Sequence, residues 1–190
     1  MRDNTGVNEN EIFHLREHQR SRTERFQGRL LTVVEDEAEL ADGTQTRREI
    51  VLHRGAVAII PILDDGRIVL VRQWRYPHGR PYWEVPAGTI DKGEAPDNTA
   101  HRELSEETGY DAASWRYLGE GPVSPGYSTE MIYFFLAQSL TPGEQHTDHD
   151  ERLDVRAFTL EECEDLISSH DVDIKTIAAL HLLRTRGTHG

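Results

Sequence analysis

The chain has 190 residues, a formal net charge of -13 and a single cysteine. This length suits one domain with a small appendage, and the acidic balance argues against long-range attraction to nucleic acid or anionic membranes. One cysteine excludes an intrachain disulfide, and no apolar run approaches the roughly 18 residues of a transmembrane helix, so we expect a cytoplasmic protein.

The N-terminal third predicts three successive regions. Residues 1–24 show no clean hydrophobic period and are expected to form a loose arm. Two short apolar stretches around a turn then predict a small β region over 25–54. The β-rich runs 55–63 and 67–75 surround an Asp-Gly turn, which predicts a hairpin.

The remaining elements mix helices and strands. Residues 97–108 predict a helix with Asp97 as its N-cap and Gly109 as its C-terminal stop. Strands are expected near 82–85, 115–120, 131–137 and 153–158. The C-terminal part predicts two helices, the first starting with a capping box from Thr159 to Glu162. A main domain over 55–186, a tail over 187–190 and an α+β fold follow.

Three glutamates lie close together in the predicted helix. Glu103 and Glu107 are four positions apart and Glu106 lies between them, so a helix puts all three carboxylates on one face. Like charges at this spacing cost only a few tenths of a kcal/mol, so an ordinary acidic helix face is one interpretation. The other is a group of hard oxygen ligands for Mg2+ or Mn2+.

The sequence around these glutamates fills a known pattern. Residues 88–110 match G-x5-E-x7-R-E-U-x-E-E-x-G-U at every fixed position, namely Gly88, Glu94, Arg102, Glu103, Glu106, Glu107 and Gly109. The chain therefore resembles the Nudix hydrolases, which cleave a diphosphate linked to another moiety. We refer to residues 88–110 as the box.

The resemblance implies a metal site. Glu103 and Glu107 would bind Mg2+ or Mn2+ directly, with the backbone carbonyl of Ala87 as a further ligand. Glu106 lies nearby and is expected as a further metal ligand and as a catalytic residue. Divalent ions suit this reaction because they neutralise the diphosphate and lower the pKa of a bound water. Glu94 and Arg102 are instead expected to hold loop and helix together by charge pairing.

Further motifs resemble the ADP-ribose pyrophosphatase branch of that family. They are WEVPAG at 83–88, RQWR at 72–75, SPGYSTE at 124–130 and DIKT at 173–176. Pro125 falls 16 residues after Gly109, which is a mark of the branch. The resemblance implies a Nudix α/β/α sandwich and a homodimer formed through the N-terminal β region, with active sites built from both subunits.

The resemblance also suggests substrate contacts. Arg54 and Arg75 are candidates for phosphate or ribose, and surface ion pairing is the alternative for both. Glu84 is expected to position ribose or Arg75, and otherwise forms a strand-edge salt bridge. Glu130 is expected to reach the site across the dimer. The aromatic residues that could stack on adenine are Phe26, Trp74 and Tyr127.

The general base is expected in the acidic loop before residue 153. Aligning this loop on the strand that follows places Glu151 where the branch has a glutamate that acts as general base or binds metal. His149, Asp148 and Asp150 remain alternatives, because each can accept a proton. Cys163 lies in a predicted helix without any signature of a nucleophile, so it is interpreted as structural.

These observations predict a hydrolase that cleaves ADP-ribose to AMP and ribose 5-phosphate with Mg2+. One alternative is another nucleoside diphosphate sugar, such as GDP-mannose. A second alternative is a non-catalytic Nudix-fold sensor of a nucleotide, although the intact box glutamates argue against it. No nucleic acid or membrane partner is expected.

Overall fold

The structure is a computed structural model that describes residues 12–147 and 152–186. The described residues form two compact units. The first unit comprises 12–53 and 123–130, and the second comprises the remaining described residues. Within the described ranges, no helix is long and apolar enough to cross a membrane.

The first unit is built on a three-stranded antiparallel sheet. Its strands are β1 (Glu17–Gln27), β2 (Thr32–Leu40) and β3 (Gln45–Leu52), in that spatial order. A short 3-10 turn over Phe13–Leu15 precedes them. Val34 and Ala38 on the central strand β2 are buried, so the small apolar centre of this unit lies on that strand.

The sheet corrects the expectation of a loose arm up to residue 24. Strand β1 begins at Glu17, and all of its residues are exposed. The sequence EHQRSRTERFQ has no apolar alternation; β1 joins β2 through an antiparallel backbone ladder, with ion pairs across the two strands. Arg22 makes two 2.7 Å hydrogen bonds to Asp36 across this pair. Residues 1–11 of the predicted arm lie outside the described residues.

The segment 123–130 belongs to the first unit although it follows the box in sequence. The N–H of Val51 donates to the carbonyl of Tyr127 at 2.7 Å, and the N–H of Thr129 donates to the carbonyl of Val51 at 3.0 Å. The segment therefore lies alongside the edge strand β3, with a parallel bridge between Val51 and Ser128. The sequence predicts one domain over 55–186 and does not anticipate this grouping; the predicted domain division otherwise stays a prediction.

The second unit contains two sheets and three helices among its described residues. The bounds are β4 (Ala56–Pro61), β5 (Ile68–Arg75), β6 (Arg80–Glu84), β7 (Ala87–Thr89), α1 (Pro96–Thr108), β8 (Tyr110–Pro122), β9 (Met131–Pro142), β10 (Leu153–Phe158), α2 (Leu160–Ser168) and α3 (Ile174–Arg186). The sheet orders are β10-β5-β6 and β7-β4-β9-β8, with β4 and β9 parallel.

The predicted hairpin of β4 and β5 is wrong. The two strands turn at an Asp-Gly pair, with the N–H of Leu63 donating to the carbonyl of Arg67, but they then enter different sheets. Only an isolated bridge between Ile62 and Ile68 joins them. Both strands are apolar enough to be covered on both faces, so burial between layers outweighs the local turn signal.

Strand β4 separates two apolar cores. Ala58 and Ile60 contribute to a core that includes Leu180 of α3, whereas Val57 and Ile59 contribute to a core that includes Leu104 of α1. Alternate side chains of one strand thus face helices on opposite sides. This explains the continuous apolar run and gives the α/β/α sandwich that the sequence predicted.

The helix ends agree with the sequence in most respects. Helix α1 ends at Gly109, whose φ of 71° is the left-handed conformation favoured by glycine. Its N-cap is Ala95 without a side-chain cap, so the assignment of Asp97 as N-cap is wrong, and Asp97 lies in the first turn. The capping box of Thr159 and Glu162 is present, and Cys163 is buried.

Candidate active site

The start of the box brings a glycine against a carboxylate. Gly88 lies in β7 and pairs with Val57 of β4. A Cβ atom at this position would lie 1.9 Å from Cδ of Glu103. Any larger residue would displace the Glu103 side chain, so the pattern needs glycine here for space.

Glu107 is the most enclosed of the three clustered glutamates. Its exposed fraction is 5%, and its Oε2 accepts a hydrogen bond from the N–H of Ala87 at 3.0 Å. The residue before Gly88 is thereby tied to the last turn of α1. Glu107 and Ala87 are therefore neighbours, and the family resemblance assigns both to one metal ion.

Arg102 joins the box carboxylates into one network. Its guanidinium contacts Glu94 at 3.0 Å, Glu103 at 2.7 Å and Glu106 at 2.9 Å. The hydrogen bond from Arg102, together with one from the buried Thr99 hydroxyl, lowers the pKa of Glu94 to about 2. Glu94 in turn raises the pKa of Arg102 above its usual value.

A second charged cluster lies at the end of strand β6. Glu84 is 1% exposed, and its Oε1 accepts from Nε of Arg75 at 2.7 Å. Its Oε2 contacts both Nη2 of Arg75 and Nζ of Lys175. Burial alone would raise the pKa of Glu84, but the Arg75 hydrogen bond and the nearby Lys175 charge hold it below its usual range. Sequence reasoning named Glu84 and Arg75 but missed Lys175 as their partner.

The loop after β9 returns to the C-terminal end of α1. The side-chain amide of Gln145 donates to the carbonyl of Glu107 at 2.6 Å, and the N–H of His146 donates to the carbonyl of Glu106 at 3.1 Å. The last carbonyls of a helix lack partners within the helix, so these bonds satisfy them. No sequence pattern marked Gln145, because a lone glutamine in a polar loop carries no signature.

The remaining candidates are distributed over the two units. In the second unit, Arg54 lies 3.4 Å from Asp91, as in the surface-pair alternative. In the first unit, Glu130 lies 3.9 Å from Nδ1 of His53, and Pro125 lies within a turn that is closed by the N–H of Tyr127 donating to the carbonyl of Ser124.

The structure describes the candidate aromatic residues but not the candidates for the general base. Phe26, Trp74 and Tyr127 are each 59% exposed, so each has a free ring face. The base candidates Glu151, His149, Asp148 and Asp150 lie outside the described residues.

The donor set fits a hard divalent cation, although two of the box carboxylates, Glu103 and Glu106, are paired with Arg102 in the structure. Within 12–147 and 152–186, no three His, Cys, Asp or Glu side chains converge in a geometry ready to hold a metal. Arg102 engages Glu103 and Glu106, yet the box carboxylates outnumber it. Carboxylate oxygens are the ligands that Mg2+ prefers, and an ion would take over contacts that Arg102 now makes.

Comparisons with known proteins agree with this geometry. The NUDIX domain family matches residues 52–180, which include the whole box. The match covers well over half of the chain, so the chain belongs to the Nudix family.

Individual relatives are similar over most of their length. The chain is 40% identical over 164 residues to an ADP-ribose pyrophosphatase of Bacillus subtilis (strain 168), covering 85% of this chain and 89% of the relative. It is also 40% identical over 162 residues to a methanol dehydrogenase activator of Bacillus methanolicus, covering 84% and 88%. A crystal structure of an ADP compounds hydrolase superposes with a TM-score of 0.79 at 28% identity, covering 88% and 92%.

Proposed function

We propose that this protein hydrolyses the diphosphate bond of ADP-ribose, giving AMP and ribose 5-phosphate. One observation carries the proposal: Glu103 packs against Gly88 and Glu107 bonds to Ala87 in a chain that is 40% identical to an ADP-ribose pyrophosphatase. In the reaction, the oxygen of water bonds to one phosphorus while the bond from that phosphorus to the bridging oxygen breaks. The departing phosphate keeps the bridging oxygen.

The box residues would hold Mg2+ or, alternatively, Mn2+. Glu103 and Glu107 would contact the ion, with Glu106 and the carbonyl of Ala87 as further ligands. When bound, such an ion neutralises the diphosphate and lowers the pKa of a bound water. Glu94 and Arg102 keep the loop before α1 on the helix, because Glu94 receives hydrogen bonds from Arg102, Thr99 and the N–H of Asp91.

Other residues would bind the substrate and move the proton. Arg75 is the candidate for the diphosphate, because its side chain is 41% exposed while its partner Glu84 is buried. Arg54 and Glu130 are further substrate-contact candidates. Glu151 is the proposed general base and a further metal ligand. The protein would act as a homodimer in the cytoplasm, with no nucleic acid or membrane partner.

A nucleotide-binding regulator is the second candidate. The observation that favours it is the similarity to a relative named for activating methanol dehydrogenase, which equals the similarity to the pyrophosphatase. This candidate predicts tight binding without turnover. The full set of box glutamates favours hydrolysis instead, because a binding module does not need them.

The test is hydrolysis of a substrate panel with Mg2+ and with EDTA. The panel contains ADP-ribose, GDP-mannose, UDP-glucose, NADH and diadenosine polyphosphates. We expect ADP-ribose to give the highest kcat/KM and EDTA to abolish the activity. A higher kcat/KM for GDP-mannose or another diphosphate would show that this compound, and not ADP-ribose, is the preferred substrate. The proposed reaction class would stay the same. Binding of ADP-ribose without any cleavage would establish the regulator.

A further inference from the structure

The cluster around Glu84 contains a second cation that the proposed reaction does not use. The Lys175 ammonium contacts the same Oε2 oxygen of Glu84 as Arg75 does, and it lies 2.6 Å from Oδ2 of Asp173. The Lys175 side chain is only 12% exposed. A buried lysine is costly unless it is paired, so its two carboxylate partners account for its charge.

The position of Lys175 is fixed by the first turn of α3. Oδ1 of Asp173 accepts from the N–H of Thr176 at 3.0 Å, which caps the helix. The Thr176 hydroxyl accepts from the N–H of Val85 at 3.0 Å. Consecutive residues of the helix, Lys175 and Thr176, therefore bind Glu84 at the end of β6 and Val85 directly after it.

The direct ion pairs of this cluster balance only when Lys175 is included. Two carboxylates, Glu84 and Asp173, pair with two cations, Arg75 and Lys175. The hydrogen bond to Glu84 raises the pKa of Arg75, and the negative charges of Asp173 and Glu107 add to this. Without the ammonium, Arg75 would be the only cation beside two carboxylates, and the cluster would be negative. A negative cluster repels a diphosphate, whereas Arg75 in a balanced cluster can direct its exposed donors to one.

We propose that Lys175 is a positioning residue that balances Glu84 and Asp173, so that Arg75 keeps its guanidinium available for the diphosphate of the substrate. This inference rests on the proposed function only for the identity of the substrate. Lys175 acts through Glu84 and Arg75 and need not touch the substrate itself.

The test compares charge variants on one cluster. Lys175→Met keeps the length of the side chain and removes its charge. Asp173→Asn removes a negative charge and keeps a helix-capping residue. Arg184→Met is the matched control, because Arg184 lies on the same helix but pairs with Glu164 at the surface. Binding of inorganic pyrophosphate without divalent ions is measured by calorimetry, beside KM and kcat for ADP-ribose with Mg2+.

We expect Lys175→Met to weaken pyrophosphate binding by about tenfold and to raise KM by a similar factor, with kcat within about twofold. The double variant Lys175→Met/Asp173→Asn restores balance and should recover most of the loss. Arg184→Met should bind as the wild type does. A merely structural role for Lys175 would not produce recovery when a second residue of the same cluster is changed.

Three results would overturn the inference. They are wild-type affinity for pyrophosphate in folded Lys175→Met, no recovery in the double variant, or no binding of pyrophosphate by the wild type. If Lys175→Met does not fold, Asp173→Asn alone decides: it should bind pyrophosphate about twofold to threefold more tightly, and unchanged or weaker binding refutes the inference. If the pyrophosphate results hold but ADP-ribose is not cleaved, the proposed function fails and the role of Lys175 stands.

Discussion

Arginine–carboxylate pairs occur in both units, and one pair from each shows opposite surroundings. On the sheet of the first unit, Arg20 contacts Glu39 with side-chain exposures of 58% and 25%. At the end of β6 in the second unit, Glu84 is 1% exposed and pairs with Arg75 and Lys175. The residue types are the same, and the difference lies in access to water.

This difference separates two uses of charge. Exposed pairs such as Arg20–Glu39 are screened and contribute little to stability. A buried carboxylate that loses a partner leaves an uncompensated charge, so the cluster around Glu84 tolerates little change. Burial therefore decides which ion pairs hold a side chain in a fixed position and which remain exposed on the surface.

The largest effect is expected at the box. Glu107→Gln keeps the size of the side chain and an acceptor for the N–H of Ala87, but it removes a proposed metal ligand. We expect kcat/KM for ADP-ribose to fall by more than about 100-fold, because even residues behind a metal ligand contribute 10-fold to 100-fold. Glu39→Gln in the exposed pairs should keep wild-type kcat/KM. Equal losses of kcat/KM in Glu107→Gln and Glu39→Gln would contradict the expected difference between the two units.

The buried cluster is expected to give the next largest effect, on stability. Glu84→Gln leaves Arg75 and Lys175 without their shared carboxylate, and we expect the free energy of unfolding to fall by about 3 kcal/mol. Urea denaturation measures this change. Glu39→Gln is the exposed counterpart and should shift the denaturation midpoint by no more than experimental error. A change in Glu84→Gln as small as in Glu39→Gln would contradict the role of burial.

A glycine pair tests packing without charge. Gly88→Ala would bring a Cβ atom to 1.9 Å from Cδ of Glu103, so we expect about 2 kcal/mol of destabilisation together with lower activity. Gly121→Ala, on β8, has no atom within 4 Å of the added Cβ and should change stability by less than about 0.5 kcal/mol. Thermal unfolding of both variants distinguishes them. An intact, active Gly88→Ala enzyme would mean that Glu103 can move aside at no cost.

The smallest expected effect depends on pH. Hydrogen bonds from Arg102 and Thr99 lower the pKa of Glu94 from 4.5 to about 2 in the folded protein. Its stabilising contribution is therefore present above pH 4.5 and is lost as the pH falls towards 2. The difference in unfolding free energy between wild type and Glu94→Gln should shrink over this interval, as measured by denaturation at successive pH values. A difference that stays constant from pH 6 to about pH 3 would refute this assignment.

Local signals in the sequence predicted the elements that are stabilised locally. The box places its glutamates by helical spacing alone, and Gly109 ends α1 through its own backbone freedom. The capping box of Thr159 and Glu162 needs only four consecutive residues. The family resemblance of these patterns also led to the Nudix fold, which the structural match confirms.

The errors arose where distant parts of the chain decide the structure. The Asp-Gly turn predicts a hairpin, but layer packing sends β4 and β5 to different sheets. Strand β1 has no apolar pattern, and its arginines form ion pairs with acidic residues on β2. Gln145 and Lys175 act on residues 38 and 91 positions away, and a single sequence carries no sign of such pairs.

The 91-residue separation between Glu84 and Lys175 has a consequence for biosynthesis. When the ribosome has made the box, the helix that balances Glu84 is not yet translated. A nascent chain that ends before Asp173 can thus contain every box glutamate and still expose Glu84 to solvent or to chaperones. Because α3 is translated after the box, the ion pair between Glu84 and Lys175 can form only late in synthesis.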